Sequence, residues 1–327
     1  MADDILDLEG LKTHFYTEVG IVLAVDGVSF NVLKGETLGL VGEPGSGKSV
    51  TALSVLRLVP RPGRIVEGKI GFQGEDLLEK TEEEMRSIRG RKIAIIFQDP
   101  ISSLNPVFTV ESQLSDVIKT HQKLSKEEVS NRIVELFQMV GIPEPQTRMR
   151  EYPHQFSGGM KQRVAVARAL ACEPALLFAD EPTTNLDVTI QAQVLDLMKD
   201  LKAKLGMSMV MITHDMGIVA DITSRVVVLY AGRVCEIAST PVLYDRPLHP
   251  YTEALLAAVP RIDQRKTLQL IPGNIPNLIS PPSGCRFHPR CPYAKDICKD
   301  KIPELEEVDG GHFVACYEWK NINLKGV

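Results

Sequence analysis

Gly42-Glu43-Pro44-Gly45-Ser46-Gly47-Lys48-Ser49 is a complete G-x-x-x-x-G-K-S pattern, and it constrains the fold more than any other stretch of the chain. The apolar run Glu36–Val41 before it reads as a strand, and Val50–Arg57 after it reads as a helix. Strand, glycine-rich loop and helix together turn successive backbone N–H groups toward one point and so form a cradle for phosphate oxygens. Gly42, Gly45 and Gly47 let the backbone approach closely. Ser46 and Val50 complete the cradle, Lys48 reaches the β- and γ-phosphates, and the Ser49 hydroxyl is placed for Mg²⁺.

At 327 residues the chain is long enough for two domains. A formal net charge of −5 gives no nucleic-acid footprint. No apolar run approaches the ~18 residues of a membrane span, and no basic-then-apolar leader opens the chain, so a soluble, non-exported protein is expected. Cys172 and Cys235 sit among apolar residues and read as buried bystanders, whereas Cys285, Cys291, Cys298 and Cys316 crowd the C-terminus. In a cytosolic chain that clustering points to metal before disulfide.

Leu6–Leu11 and Ala24–Phe30 read as strands, with Lys34-Gly35 as a turn. Between them lies Phe15-Tyr16, and Phe15 is the ring expected to stack on a nucleotide base, with Tyr16 next. Ile65–Phe72 and Lys92–Phe97 are further strands, separated by a charged helix around Glu82–Arg89. The second ends in Gln98-Asp99-Pro100, where proline breaks the run and the Gln98 amide can face a metal or a water. Ser125 followed by Glu128 forms a capping-box pattern, and Val129, Ile133, Phe137 and Val140 recur at helical spacing, as in an inserted helical subdomain.

Ser157-Gly158-Gly159-Met160 opens an amphipathic helix and offers a second anion-binding terminus, with the expectation that it serves the nucleotide of a second subunit. The strand Ala175–Asp180 ends in two carboxylates. Asp180 suits Mg²⁺, and Glu181, pointing the other way in extended backbone, suits polarisation of an attacking water. Asp187 closes the following loop onto a helix over 188–204, and the strand Ser208–Thr213 ends at His214. Lys48, Gln98, Glu181 and His214 thus all lie at strand ends, where open parallel sheets gather their ligands.

This order of motifs resembles the ATPase subunits of ABC transporters over roughly residues 5–240. The resemblance implies an α/β fold: an ABC-type nucleotide-binding domain over 1–240, with a RecA-like parallel-sheet core, an antiparallel β subdomain and a helical subdomain at about 105–165, followed by a small cysteine-containing tail domain over 241–327. It implies a head-to-tail dimer that sandwiches ATP between one subunit's phosphate loop and the other's Ser157-Gly158-Gly159. Glu181 would be the general base, His214 would hold the γ-phosphate and water, and Asp187 would belong to the loop that crosses between subunits. The chain departs from the usual pattern at Met160, which replaces Gln, and at Asn185, which replaces Ala or Gly.

The tail Arg246-Pro-Leu-His249-Pro250-Tyr251, Pro260, a Pro-rich linker and Gly284-Cys285 onward is similar to that of dipeptide and oligopeptide importer ATPases. Within that family Met160 marks the D-type subunit, which implies a related F-type ATPase as heterodimer partner, or a homodimer in isolation. It also implies two membrane permease subunits, an extracytoplasmic solute-binding protein acting indirectly, and a peripheral place on the cytoplasmic face of the membrane. The transported solute is set by those other subunits.

The spacing Cys285-x₅-Cys291-x₆-Cys298-x₁₇-Cys316 lacks the close knuckles of zinc ribbons and fits an all-cysteine iron–sulfur cluster better, with zinc, free thiols or a disulfide as alternatives. The resemblance points to a [4Fe–4S] cluster there, pinning a tail with little core of its own. A soluble ABC ATPase acting on DNA or ribosomes is the competing class. One phosphate loop, an acidic balance and no long heptad array argue against it.

Overall fold

The computed structural model describes residues 4–99, 103–184, 186–259 and 271–326, so the expectations at Pro100, Asn185 and Pro260 lie outside the described residues. The chain divides into two compact units, one of Met1–Glu79 with Met211–Val327 and one of Lys80–Val210.

In the first unit, β1 (Asp4–Thr17) and β2 (Gly20–Leu33) form a long antiparallel hairpin. They run well beyond the short strands expected, because polar residues alternate with the buried Leu6, Leu8, Leu11, Val25, Val28 and Val32 almost to the turn. With β4 (Gly63–Phe72) and β5 (Glu75–Asp76) they make an antiparallel sheet in the order β2-β1-β4-β5. A second sheet region carries β3 (Thr37–Val41), parallel to β9 (Arg225–Tyr230). Beyond β9 follow β10 (Arg233–Ser239), β12 (His312–Val314) and β11 (Glu306–Asp309), each antiparallel to its neighbour. Every residue of β3 is buried, as expected of a parallel strand covered on both faces. Helix α1 (Lys48–Val55) leaves directly from the phosphate loop.

The second unit pairs β6 (Ile93–Ile96) in parallel with β7 (Leu176–Asp180). Its helices are α2 (Glu82–Ile88), α3 (Val110–His121), α4 (Lys126–Met139), α5 (Pro145–Arg148), α6 (Gly158–Ala169) and α7 (Val188–Leu205). The capping box at α4 forms as expected: the Glu128 N–H donates to Ser125 Oγ, and the Ser125 N–H donates to Glu128 Oε2 at 2.7 Å. Val129, Ile133, Phe137 and Val140 are all buried. Strand β8 (Ser208–Thr213) spans the division between the units and is buried throughout.

The C-terminal region belongs to the first unit. Helices α8 (Met216–Ile222), α9 (Thr240–Asp245) and α10 (Pro250–Ala257) pack with β3 and β9 around a core that includes Val41, Tyr230, Tyr251 and Phe287. The Phe287 ring meets the Tyr230 ring edge-on at 5.1 Å, and the Tyr251 ring lies 4.6 Å from Tyr230. The fully buried Glu236 carboxylate accepts from the Leu248 and His249 backbone N–H groups at 2.7 and 2.9 Å and contacts His312 Nε2 at 2.7 Å, so its burial is matched by partners. Short helix α11 (Asp296–Asp300) carries Cys298.

Candidate active site

The phosphate loop folds as its glycines require. Gly42 has φ +153°, and a Cβ there would lie 2.1 Å from the Leu229 carbonyl oxygen. Gly47, the N-cap of α1, has φ +104°, and a Cβ there would lie 2.5 Å from the Ala24 carbonyl oxygen. Neither position accepts another residue without moving backbone, so the loop's curvature is fixed by sterics. Ser46 is tied at both ends, its N–H donating to the Glu43 carbonyl and its own carbonyl accepting from Gly232. Lys48 is buried and curls over the loop, its Nζ donating to the Gly42 carbonyl at 2.7 Å and to the Glu43 carbonyl at 2.9 Å. Gly45 lines the same turn, and Ser49 and Val50 occupy the first turn of α1.

In the second unit β7 ends at Asp180, which is buried, and the backbone then departs from the expected extended course. Glu181 takes φ +44°, the left-handed region that a side-chain-bearing residue rarely adopts. The direction of its side chain is therefore set by this sharp turn rather than by strand alternation. Gln98 Nε2 donates to Glu181 Oε2 at 2.8 Å, and Thr184 Oγ1 donates to the same oxygen at 3.0 Å. The sequence singled out Gln98 and Glu181 but not Thr184, whose one signal is its position three residues after the acid.

Ser157 is the N-cap of α6, with Oγ accepting from the Met160 N–H at 3.3 Å. Nothing lies within 4 Å of a Cβ built on Gly158, whereas one on Gly159 would come within 2.9 Å of Ile190. Asp187 caps α7, its Oδ1 accepting from the Thr189 and Ile190 N–H groups at 3.1 and 3.0 Å. In the first unit His214 is exposed at the end of β8, and the adjacent Asp215 caps α8. Phe15 is half-buried beside Gly63, where an added Cβ would lie 2.7 Å from its ring, while Tyr16 is exposed under the Arg64 guanidinium at 5.6 Å.

The cysteine expectation is corrected. Cys285, Cys291, Cys298 and Cys316 are free thiols bordering one cavity of about 20 Å³, room for little more than a water. Among the described residues no three His, Cys, Asp or Glu side chains are placed to hold a metal ion, so neither a [4Fe–4S] cluster nor zinc has a ligand set here. Burial pushes the Cys291 thiol up to about 11 and the Cys316 thiol up to about 12, and raises Cys285 as well. Protonated thiols in apolar surroundings pack as small hydrophobes, and Cys285 and Cys291 lie against the Tyr230–Tyr251–Phe287 core. Sequence spacing had brought the four together correctly but said nothing of where their sulfur atoms point.

Residues 25–184 match the family model described as ABC transporter, and residues 235–298 match that described as oligopeptide/dipeptide transporter, C-terminal region. The chain is 50% identical to the probable peptide ABC transporter ATP-binding protein y4tR of Sinorhizobium fredii, over 97% of this chain and 95% of that one. This chain belongs to the ABC transporter family of ATP-binding proteins. Its kinship to other members is as even along the length. Oligopeptide transport ATP-binding protein AppD of Bacillus subtilis is 49% identical over 96% of both chains, and dipeptide transport ATP-binding protein DppD of Escherichia coli 45% over 96% of both. Among solved structures, the dimeric post-hydrolysis state of the ATP-binding cassette MJ0796, bound to ADP and Pi, aligns with a TM-score of 0.65 at 28% identity. That alignment covers 72% of this chain and 98% of that one. As an ABC ATPase the chain binds and hydrolyses ATP. Among its described residues no helix is long and apolar enough to cross a membrane.

Proposed function

We propose that this chain is the ATP-hydrolysing subunit that energises import of di- or oligopeptides through an ABC transporter, seated peripherally on the cytoplasmic face of the membrane. The observation that carries the chemical part is Glu181, a carboxylate bent out of its strand and held by Gln98 and Thr184. The peptide part rests on relatives named for oligopeptide and dipeptide transport that match nearly the whole chain, tail included.

In this reading the phosphate loop and Lys48 bind the β- and γ-phosphates, and Phe15 stacks on the base. Ser49, Asp180 and Gln98 are the residues that would hold Mg²⁺, which neutralises phosphate charge when bound; a buried carboxylate and a hydroxyl at a helix start suit such a hard cation. Glu181 takes a proton from the attacking water as the new oxygen–phosphorus bond forms and the bond to the bridging oxygen of ADP breaks. His214 steadies the γ-phosphate and the water. Ser157, Gly158 and Gly159 bind the nucleotide of a second, F-type subunit, and Asp187 lies in the loop that crosses between the two.

Affinity capture of the tagged chain from detergent-solubilised native membranes tests the reading. Two polytopic membrane proteins and a second, related ATPase are expected. Recovery with ribosomes or DNA-repair factors and no membrane protein would leave the ATPase and overturn the transport role.

A further inference from the structure

Glu43, the second residue of the phosphate loop, is gripped twice by the C-terminal region. Arg290 forks onto its carboxylate, with Nη1 to Oε2 at 2.8 Å and Nη2 to Oε1 at 3.2 Å. Tyr251 Oη accepts the Glu43 backbone N–H at 2.8 Å. The Arg290 side chain is 4% exposed and cannot swing away, because its Nε donates to the Pro272 carbonyl at 2.8 Å, its Nη2 to the Ile271 carbonyl and its Nη1 to Tyr230 Oη. The guanidinium also lies 5.7 Å from the Tyr230 ring centre. Glu43 remains 24% exposed. Both Arg290 and Tyr251 fall within the stretch matched to the oligopeptide/dipeptide C-terminal model.

An acid in a loop that receives a polyphosphate is an electrostatic oddity, since a carboxylate beside the cradle repels each added phosphate. A bidentate arginine cancels that charge and fixes the carboxylate's direction at once. We infer that Arg290 is a positioning residue for the phosphate loop: from the C-terminal region it masks the Glu43 carboxylate and, with Tyr251, holds the loop's entry in its binding shape, so that the packing of the tail sets nucleotide affinity. The inference rests on the reading of this loop as the nucleotide site and adds a second function to the tail.

The test is isothermal titration calorimetry of the purified full chain with Mg·AMP-PNP and Mg·ADP, alongside thermal unfolding. Arg290→Gln weakens Mg·AMP-PNP about tenfold and Mg·ADP less, because the exposed carboxylate acts on the more highly charged ligand more strongly. Adding Glu43→Gln to Arg290→Gln recovers most of that affinity, which loss of tail packing alone cannot do. Arg290→Lys, which keeps the charge and loses the fork, falls between wild type and Arg290→Gln; it carries the comparison with Mg·ADP should Arg290→Gln not fold. Equal losses for the two nucleotides, or a double variant no tighter than Arg290→Gln, would overturn the masking role. Undiminished binding by Lys48→Ala would instead remove the loop as the nucleotide site and the inference with it.

Discussion

Gln98 and Glu181 lie 83 positions apart, and their side chains meet at 2.8 Å, amide nitrogen to carboxylate oxygen. Glu181 sits just past the end of β7 in left-handed backbone, so its carboxylate is aimed by the turn and then fixed by Gln98 and Thr184. In the reading of Glu181 as the general base, Gln98 and Thr184 are the groups that orient its carboxylate for that task. Glu181→Gln is expected to bind ATP and to lower kcat by at least about a hundredfold, the usual scale for removing a general base. Gln98→Ala should lower kcat about tenfold, since it loosens the Glu181 carboxylate and removes one of the groups that would hold Mg²⁺. Steady-state phosphate release checks both, and near-normal turnover of Glu181→Gln would exclude it as the base.

The parts of this site that were legible in the sequence are those whose chemistry is local. Gly42 and Gly47 are needed by backbone sterics within one turn, and Asp180 and Glu181 announce themselves at the end of an apolar run. Contacts across long sequence separations left no such trace. Tyr251 reaches Glu43 over 208 positions and Arg290 over 247, and neither has a periodicity or a motif that points at the loop. The cysteine tail shows the opposite failure. Its spacing was conspicuous, but whether four thiols converge on an ion or spread along an apolar cavity depends on packing around Phe287, which spacing does not encode.

His249 gives the tail a pH dependence. Its Nδ1 accepts the Tyr251 N–H at 3.0 Å as the N-cap of α10, and burial holds its pKa down to about 3. The unfolded chain, with an ordinary histidine near 6.5, therefore takes up the proton first as pH falls. Stability from this group is complete above 6.5 and is lost between 6.5 and 3. His249→Asn keeps a capping acceptor that does not titrate. Between pH 7 and pH 5 the wild type should lose about 2 kcal/mol more than this variant in urea unfolding, and parallel pH profiles would show that His249 is not buried neutral.

Asp187 separates a cap from a contact between subunits. Its Oδ1 accepts two N–H groups of α7 within its own chain. Asp187→Ala should destabilise the chain by about 1 kcal/mol, the usual loss for an N-cap, whereas Asp187→Asn should keep that stability. If Asp187 also serves the partner subunit, Asp187→Asn will unfold like wild type yet hydrolyse ATP more slowly in the assembled pair. Wild-type turnover would confine the residue to capping.

The thiols supply the last prediction. With Cys291 near 11 and Cys316 near 12, both raised first by burial, the thiolate fraction at pH 7.5 is smaller than that of an exposed cysteine by two to four orders of magnitude. Iodoacetamide should therefore label both slowly in the folded chain and rapidly in urea, with peptide mass spectrometry resolving the sites. The same burial decides which replacement is tolerated. Cys298 is 7% exposed, and Cys298→Ala removes only a sulfur from an apolar wall, whereas Cys298→Ser puts a hydroxyl there that must find a partner. Alanine should accordingly be the milder change in thermal unfolding. Fast labelling of Cys291 at neutral pH, or serine tolerated better than alanine, would mean that the cavity is wet and its thiols are not acting as packing.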